Sequence, residues 1–345
     1  MNGERDRLTA RVWDRSQGIV LELSLACQDI DRTRPLVDGR VTIEGCRLNV
    51  ITAKPEEIFQ RAFRHREFDI SELSLATHLI TTARGDSPYI AVPAFVSRAF
   101  RHSSIYVRKD AGINRPEALR GRAVGVPDFQ QTAGVWARGI LADEYGLARK
   151  DVLWRTGGLD QAGREQRVPV DLKDKVRVEP IGPTQTLSQM LEDGEIDAVI
   201  APRAPKGYGS NGIARMFPDN RAAEEAYFQK TRLFPIMHVI GIRRPLVEQH
   251  PWLPVNVYAA FRQARALAMQ DLLRVDTPAV AHPWIADEIT RVKSVMGEDY
   301  WPYGIQENRN ELQALVRYAE ADGLIPGPVA LEDLFAKSTF DRFNF

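Results

Sequence analysis

The chain has 345 residues, 44% apolar and 27% charged, with 46 basic side chains balancing 46 acidic ones. A formal net charge of zero removes the global electrostatic case for a nucleic-acid partner. No apolar run approaches the roughly 18 residues a membrane helix needs, and the length predicts two lobes rather than one core.

The leading segment MNGERDRLTARVWDRSQG is polar and carries both charge signs. It lacks the apolar centre of a secretory signal, so a cytoplasmic protein is expected. Cys27 and Cys46 form neither a disulfide framework nor a metal spacing.

In chain order, VLELSLA (20–26) reads as a buried strand, and the polar segment that follows it, CQDIDRTRPLVDG, includes Arg32. Polar residues just past a strand end are a favoured site location in open α/β sheets. RLNVI (47–51) is a second strand. Pro55 then opens a helix whose apolar face holds Ile58, Phe59, Ala62 and Phe63. FDISELSLATHLI (68–80) is a strand running into a helix, with Glu72 and Ser74 at the junction, and IAVPAF (90–95) is a further strand.

The next stretch, FVSRAFRHSSIYVR (95–108), gathers Arg98, Arg101, Arg108 and His102 just before an apolar run. Cations beside a core need a partner. That partner is either a bound carboxylate, which arginine forks match two bonds at a time, or a structural acid such as Glu72 for Arg98. A short helix from Pro116 and a strand at Ala123–Val126 follow. Residues 130–146 form a helix with Ala133, Trp136, Ala137, Ile140 and Leu141 on one face. Thr132 is its expected N-cap, and its free N–H groups suit an anion, with Arg138 reinforcing that site or solvated.

Residues 156–175 read as an irregular loop, VRVEPI as a strand, and TQTLSQMLEDG as a helix leading to the strand IDAVIA. Arg203, Lys206, Tyr208 and Asn211 sit in a loop. FPIMHVIGIRR (234–244) is a strand containing His238, and helices are expected near 255–273, 284–296, 308–322 and 330–336. The alternation predicts an α/β fold with largely parallel sheets. Lobe 1 would comprise residues 1–107 and 235–345, and lobe 2 residues 108–234. Crossings near Val107–Lys109 and Thr231–Pro235 would frame an interlobe cleft.

No dinucleotide fingerprint, P-loop, H-E-x-x-H, C-x-x-C or G-x-S-x-G occurs, and the six histidines are scattered. No cofactor is expected; ligand spacing does not support a divalent metal.

The blocks FDISELSLA (68–76), VPAFVSRAFRHSSIYV (92–107), LRGRAVGVPDFQQTAGVWARGIL (119–141), GEIDAVIAP (194–202), FPIMHVIGI (234–242) and WPYGIQENR (301–309) closely resemble the 4,5-dihydroxyphthalate decarboxylase family. This resemblance implies a two-lobed fold similar to type II periplasmic solute-binding proteins. It also implies a cofactor-independent decarboxylase acting on a hydroxylated phthalate by ring-carbon protonation and CO2 loss. Such chemistry needs groups that fix the acid and positioned acid–base groups, which typically contribute about 10²–10⁴-fold.

Arg98 and Arg101 are then the carboxylate clamps, with Arg32 as a third. His102 and His238 are the general acid and phenol base, and Glu72 orients one of them. Thr132, with Ser74 and Gln131 nearby, would bind the second acid group, and Trp136 would line the ring slot. A small aromatic acid is the expected partner, with neither nucleic acid nor membrane, and a homo-oligomer is expected. The alternative is a solute-binding protein or cytosolic sensor for an aromatic or organic acid. The missing export signal favours the enzyme.

Overall fold

The computed structural model describes residues 13–14, 19–163, 168–169, 172, 176–210, 212–274 and 276–340. Asn211 and parts of the expected 156–175 loop lie outside the described residues.

The strands are β1 (Trp13–Asp14), β2 (Ile19–Cys27), β3 (Cys46–Thr52), β4 (Ile70–Ser74), β5 (Tyr89–Arg98), β6 (Ile105–Arg108), β7 (Ala123–Val126), β8 (Leu153–Thr156), β9 (Val178–Pro180), β10 (Ala198–Ile200), β11 (Ile213–Arg215) and β12 (Ile236–Arg243). The helices are α1 (Arg34–Val37), α2 (Pro55–Gln60), α3 (Leu75–Arg84), α4 (Thr132–Tyr145), α5 (Leu187–Asp193), α6 (Asn220–Thr231), α7 (Arg244–Gln249), α8 (Leu253–Leu272), α9 (Ile285–Met296), α10 (Arg309–Ala321) and α11 (Leu331–Leu334).

Among the described residues, the strands divide between two six-stranded sheets. In the first, β2 pairs in parallel with β3 and β4, and β12 is inserted antiparallel between β4 and β5. Leu21, Leu23 and Leu25 on β2 are buried while Glu22 is exposed, the period-2 pattern of a strand with one covered face. The second sheet runs β11-β6-β10-β7-β8-β9, with β10, β7, β8 and β9 parallel and β6 antiparallel to both its neighbours.

Because β6 belongs to the second sheet, the first crossing occupies residues 99–104, earlier than the expected Val107–Lys109. The RAFRHSS stretch is itself that crossing. The return path runs between Arg215 and Ile236 and contains α6, a helix the sequence reading leaves unassigned. Asp219 caps it by accepting the Ala222 N–H, and only Tyr227 and Phe228 of its residues are buried.

The apolar pattern expected of α4 holds, but the helix is buried on every side from Thr132 to Leu141. Gly139 is required where α4 meets α10, since a methyl there would overlap the Tyr318 ring. Arg138 neither faces an anion site nor is solvated. Its Nε and Nη2 donate to Asp322 Oδ2 at 2.9 and 2.6 Å, while Arg149 Nε donates to Asp322 Oδ1 at 2.5 Å. This triad, in which Arg138 and Asp322 are buried and Arg149 half-buried, ties α4 to the end of α10.

Candidate active site

The site is built on the middle of the first sheet. His238 on β12 lies opposite Ser74 on β4 and Ser97 on β5, so the three side chains share one face. Glu72 is two residues from Ser74 on β4, which makes it the diagonal neighbour of His238. The β12–β5 register shifts on both sides of His238. Such irregularities re-aim a side chain at the sheet surface.

Glu72 is fully buried. Its Oε1 lies 2.6 Å from His238 Nδ1 and accepts from Gln28 Nε2 at 2.7 Å, and its Oε2 accepts from the Gln28 N–H at 2.8 Å. Burial alone would push this carboxyl up; the bonds from His238 and Gln28 outweigh it and hold the group below the usual carboxylate range. A carboxylate on Nδ1 fixes the imidazole tautomer, leaving Nε2 as the working nitrogen. Phe59, at the end of α2 before a π-helical turn at Arg61–His65, sets its ring edge-on to His238 at 4.8 Å.

His238 lines a cleft of about 280 Å³ with Gln28, Phe59, Ser74, Ser97 and Met237 from the first-sheet side. Gln131, Thr132, Ala133 and Pro202 close it from the second-sheet connections, and Arg101 comes from the crossing. Arg101 is 6% exposed. Its Nη1 reaches Ser104 Oγ at 3.3 Å, and its Nε has no partner. Burial pushes its guanidinium down to about 10, so it stays charged at neutral pH. Glu224 acts on it electrostatically without bonding it, and Glu56 also lines the cleft.

Thr132 does not cap α4; Gln131 occupies the N-cap position without a side-chain bond. Instead Thr132 Oγ1 accepts the Ala76 N–H at 3.0 Å and meets Ser74 Oγ at 2.9 Å. It therefore caps the neighbouring α3 from across the cleft.

Four expected site residues are placed elsewhere. Arg98 points into the core. It donates to Phe234 O, Pro302 O and Asn308 Oδ1, with Glu311 at 3.8 Å, so its structural acid is Glu311 and not Glu72. His102 is packed among Tyr145, Phe217 and Tyr227, its Nδ1 lacks a partner, and burial pushes its pKa down. Arg32 stacks 4.1 Å over Trp301, donates to Val96 O and pairs with Asp31. Trp136 is core: its Nε1 donates to Ile236 O at 3.0 Å and its ring meets Tyr318 edge-on.

Gln28, Phe59, Ser97 and Met237 were not singled out by sequence. For Gln28 the signal was present, since it begins the polar segment after β2 from which Arg32 was chosen. Among the described residues, no group of three or more His, Cys, Asp or Glu stands close enough to hold a metal ion.

Two sheets joined by two crossings, with a cleft where they meet, define a periplasmic-binding-protein-like α/β fold. The solved structure of protein AF1704 from Archaeoglobus fulgidus shares this fold at a TM-score of 0.50 and 18% identity, covering 88% of this chain and 98% of that one. The Candida albicans CA3427 product, described as having the generic periplasmic binding protein fold, aligns at a TM-score of 0.46 and 11% identity over 93% and 96%. No protein-family model matches the chain.

A curated relative from Comamonas testosteroni, 4,5-dihydroxyphthalate decarboxylase, is 42% identical over 326 residues, 94% of this chain and 99% of the relative. A Pseudomonas putida protein of the same name is 46% identical over 211 residues, 61% of this chain and 82% of its own length. The chain belongs to the 4,5-dihydroxyphthalate decarboxylase family.

Proposed function

We propose that this protein is a carboxy-lyase that converts 4,5-dihydroxyphthalate, or a close hydroxylated phthalate, to 3,4-dihydroxybenzoate and CO2. The observation that carries the reading is the Glu72–His238 pair facing a cleft that also holds the buried guanidinium of Arg101. In this substrate each carbon bearing a carboxylate is para to a hydroxyl, so the ring can feed electrons to the carbon that loses CO2.

Arg101 binds the carboxylate that stays. Stabilising the departing one in the ground state would raise the barrier, since only transition-state binding accelerates the step. Protonated His238 gives its Nε2 proton to the ring carbon bearing the other carboxylate, with the para oxygen supplying charge. The C–C bond then breaks, its electrons restore the aromatic ring, and CO2 leaves. Glu72 stabilises the imidazolium and fixes its orientation while His238 is recharged from solvent. Gln131 and Ser97 are positioned to bond the hydroxyls or the retained acid. The electrons end in the substrate's own ring, which supports a reaction without an electron-sink cofactor.

In this reading the two sheets act as lobes that close over the ring and orient it. Free Cys27 and Cys46 support a reducing, cytoplasmic setting. We infer a homo-oligomer, with exposed Leu273, Val280 and Trp284 available as contact residues. The deciding experiment incubates purified protein with 4,5-dihydroxyphthalate and follows CO2 and 3,4-dihydroxybenzoate. Turnover, lost in His238→Ala, is expected; tight binding of hydroxylated phthalates without any CO2 would sink the decarboxylase and favour a binding protein.

A further inference from the structure

Protonating a ring carbon drains electrons from the oxygen para to it, and that oxygen must shed its own proton. His238 is the acid, and His102 does not line the cleft. Among the described residues that do, Glu56 is the only carboxylate. Glu72 lies buried behind His238, already bonded to it.

The topology sets Glu56 and Arg101 on opposite flanks of His238. Strands β2, β3, β4 and β5 run one way and β12 runs against them, so the segments leaving those four strands emerge at one rim. Glu56 is in the first turn of α2, which follows β3 and packs on β2 and β4. Arg101 follows β5, on the far side of β12. Phe59, three residues on from Glu56, sets its ring edge-on to His238 at 4.8 Å. Side chains three apart on a helix are neighbours, with Cβ atoms about 5–6 Å from each other. One rigid turn of α2 therefore carries both the contact to the imidazole and the carboxylate.

That carboxylate is uncommitted. The adjacent Glu57 pairs with Arg61, whereas among the described residues nothing bonds or ion-pairs the half-buried Glu56 side chain. A first-turn acid suits the helix dipole, but exposed Glu57 already meets that need. A negative charge in the cleft tolerates a dicarboxylate only when the acid groups lie away from it. In 4,5-dihydroxyphthalate the carboxylates occupy one edge of the ring and the hydroxyls the opposite edge. Arg101 then takes the acid edge and Glu56 the hydroxyl edge.

We propose that Glu56 is the base of the reaction, accepting the hydroxyl para to the departing carboxylate; this rests on the decarboxylase reading. As His238 Nε2 delivers its proton to the ring carbon, the O–H bond breaks and its proton passes to Glu56. The oxygen becomes the carbonyl of a cyclohexadienone. When the C–C bond breaks, its electron pair restores the aromatic ring and the oxygen becomes a phenolate, which takes the proton back from Glu56. CO2 leaves, and the one proton consumed is that which His238 regains from solvent. The same carboxylate makes the hydroxyl a requirement, since a bare phthalate offers Glu56 no donor.

The test measures CO2 release by the full chain and by Glu56→Gln and Glu56→Ala, beside thermal melts. At neutral pH Glu56→Gln should lower kcat by about 10²-fold or more with Tm unchanged, the range of a positioned base. Its rate should then climb as pH rises and solvent ionises the phenol itself, while the unaltered protein stays on its plateau. Added formate should restore turnover to Glu56→Ala saturably. An unchanged kcat in folded Glu56→Gln overturns the proposal, as does a loss that neither formate nor raised pH relieves. If Glu56→Ala does not fold, the pH profile of Glu56→Gln decides alone. No CO2 from the unaltered protein would remove the decarboxylase reading and this proposal with it, which tells the two failures apart.

Discussion

Arg98 and Arg101 stand three residues apart in the same cationic stretch, yet their environments are opposite. The partners of Arg98 come from far along the chain, at Phe234, Pro302 and Asn308, and Glu311 completes the set. Nothing local to RAFRHSS could reveal this. Arg101 donates to Ser104, feels Glu224 electrostatically and lines the open cleft. Arg101→Ala should therefore raise KM for the dicarboxylate or lower kcat/KM by roughly tenfold or more, with little change in Tm. Arg98→Ala should cost about 3–5 kcal/mol of stability. Steady-state kinetics beside thermal melts separate the two, and a kinetic loss confined to Arg98→Ala would reverse the assignment.

Gln28 acts through Glu72. Its side-chain amide helps hold that carboxyl low, so activity that requires ionised Glu72 persists above the depressed pKa and fades as pH falls through it. Gln28→Met removes this donor and leaves the backbone one. The acidic limb of the kcat/KM profile should then move up by about one pH unit. A lowered plateau with an unmoved limb would mean that Gln28 only packs.

At the scale of elements, α3 is fastened to α11 by His78, whose Nε2 lies 2.8 Å from Leu334 O and whose Nδ1 lies 3.4 Å from Ser87 Oγ. Burial pushes this histidine from 6.5 down to about 4, so it folds neutral. The unfolded chain takes up the proton first. The stability is therefore whole above pH 6.5, is lost as pH falls towards 4, and loses no more from this group below that. The loss amounts to about 3 kcal/mol. Denaturant titrations across this window should show it, and His78→Gln should flatten the slope.

Elements with a strong apolar period were legible from sequence: β2, β4 with α3, α4, β12 and α10 all fall close to their expected ranges. Elements with little buried apolar surface were not. Helix α6 is Ala- and Glu-rich with only two buried residues, and β11 contributes three residues to an edge. The same limit applies to the site. A strand histidine with a glutamate on the neighbouring strand could be suspected from the blocks. Their pairing, however, depends on β12 inserting between β4 and β5 in one register, and sequence order does not reveal register.

At the scale of the whole molecule, α4 follows β7 of the second sheet but packs among parts of the first sheet's layer. It contacts α3, α10 and β12, and also the Pro116–Leu119 turn that leads into β7. Trp136 donates to Ile236 O, Thr132 caps α3 at Ala76, and Arg138 is locked to Asp322. The same coupling bears on unfolding: α4 packs against β12 of the first sheet and sets Arg138 over Trp154 of β8 in the second. Calorimetry of the full chain should show one cooperative transition. Asp322→Ala, which strands the buried Arg138 guanidinium and frees the half-buried Arg149, should lower its midpoint by several degrees, because breaking a buried pair costs about 3–5 kcal/mol. Two resolved transitions in the unaltered chain would mean that α4 is not the clasp between the sheets.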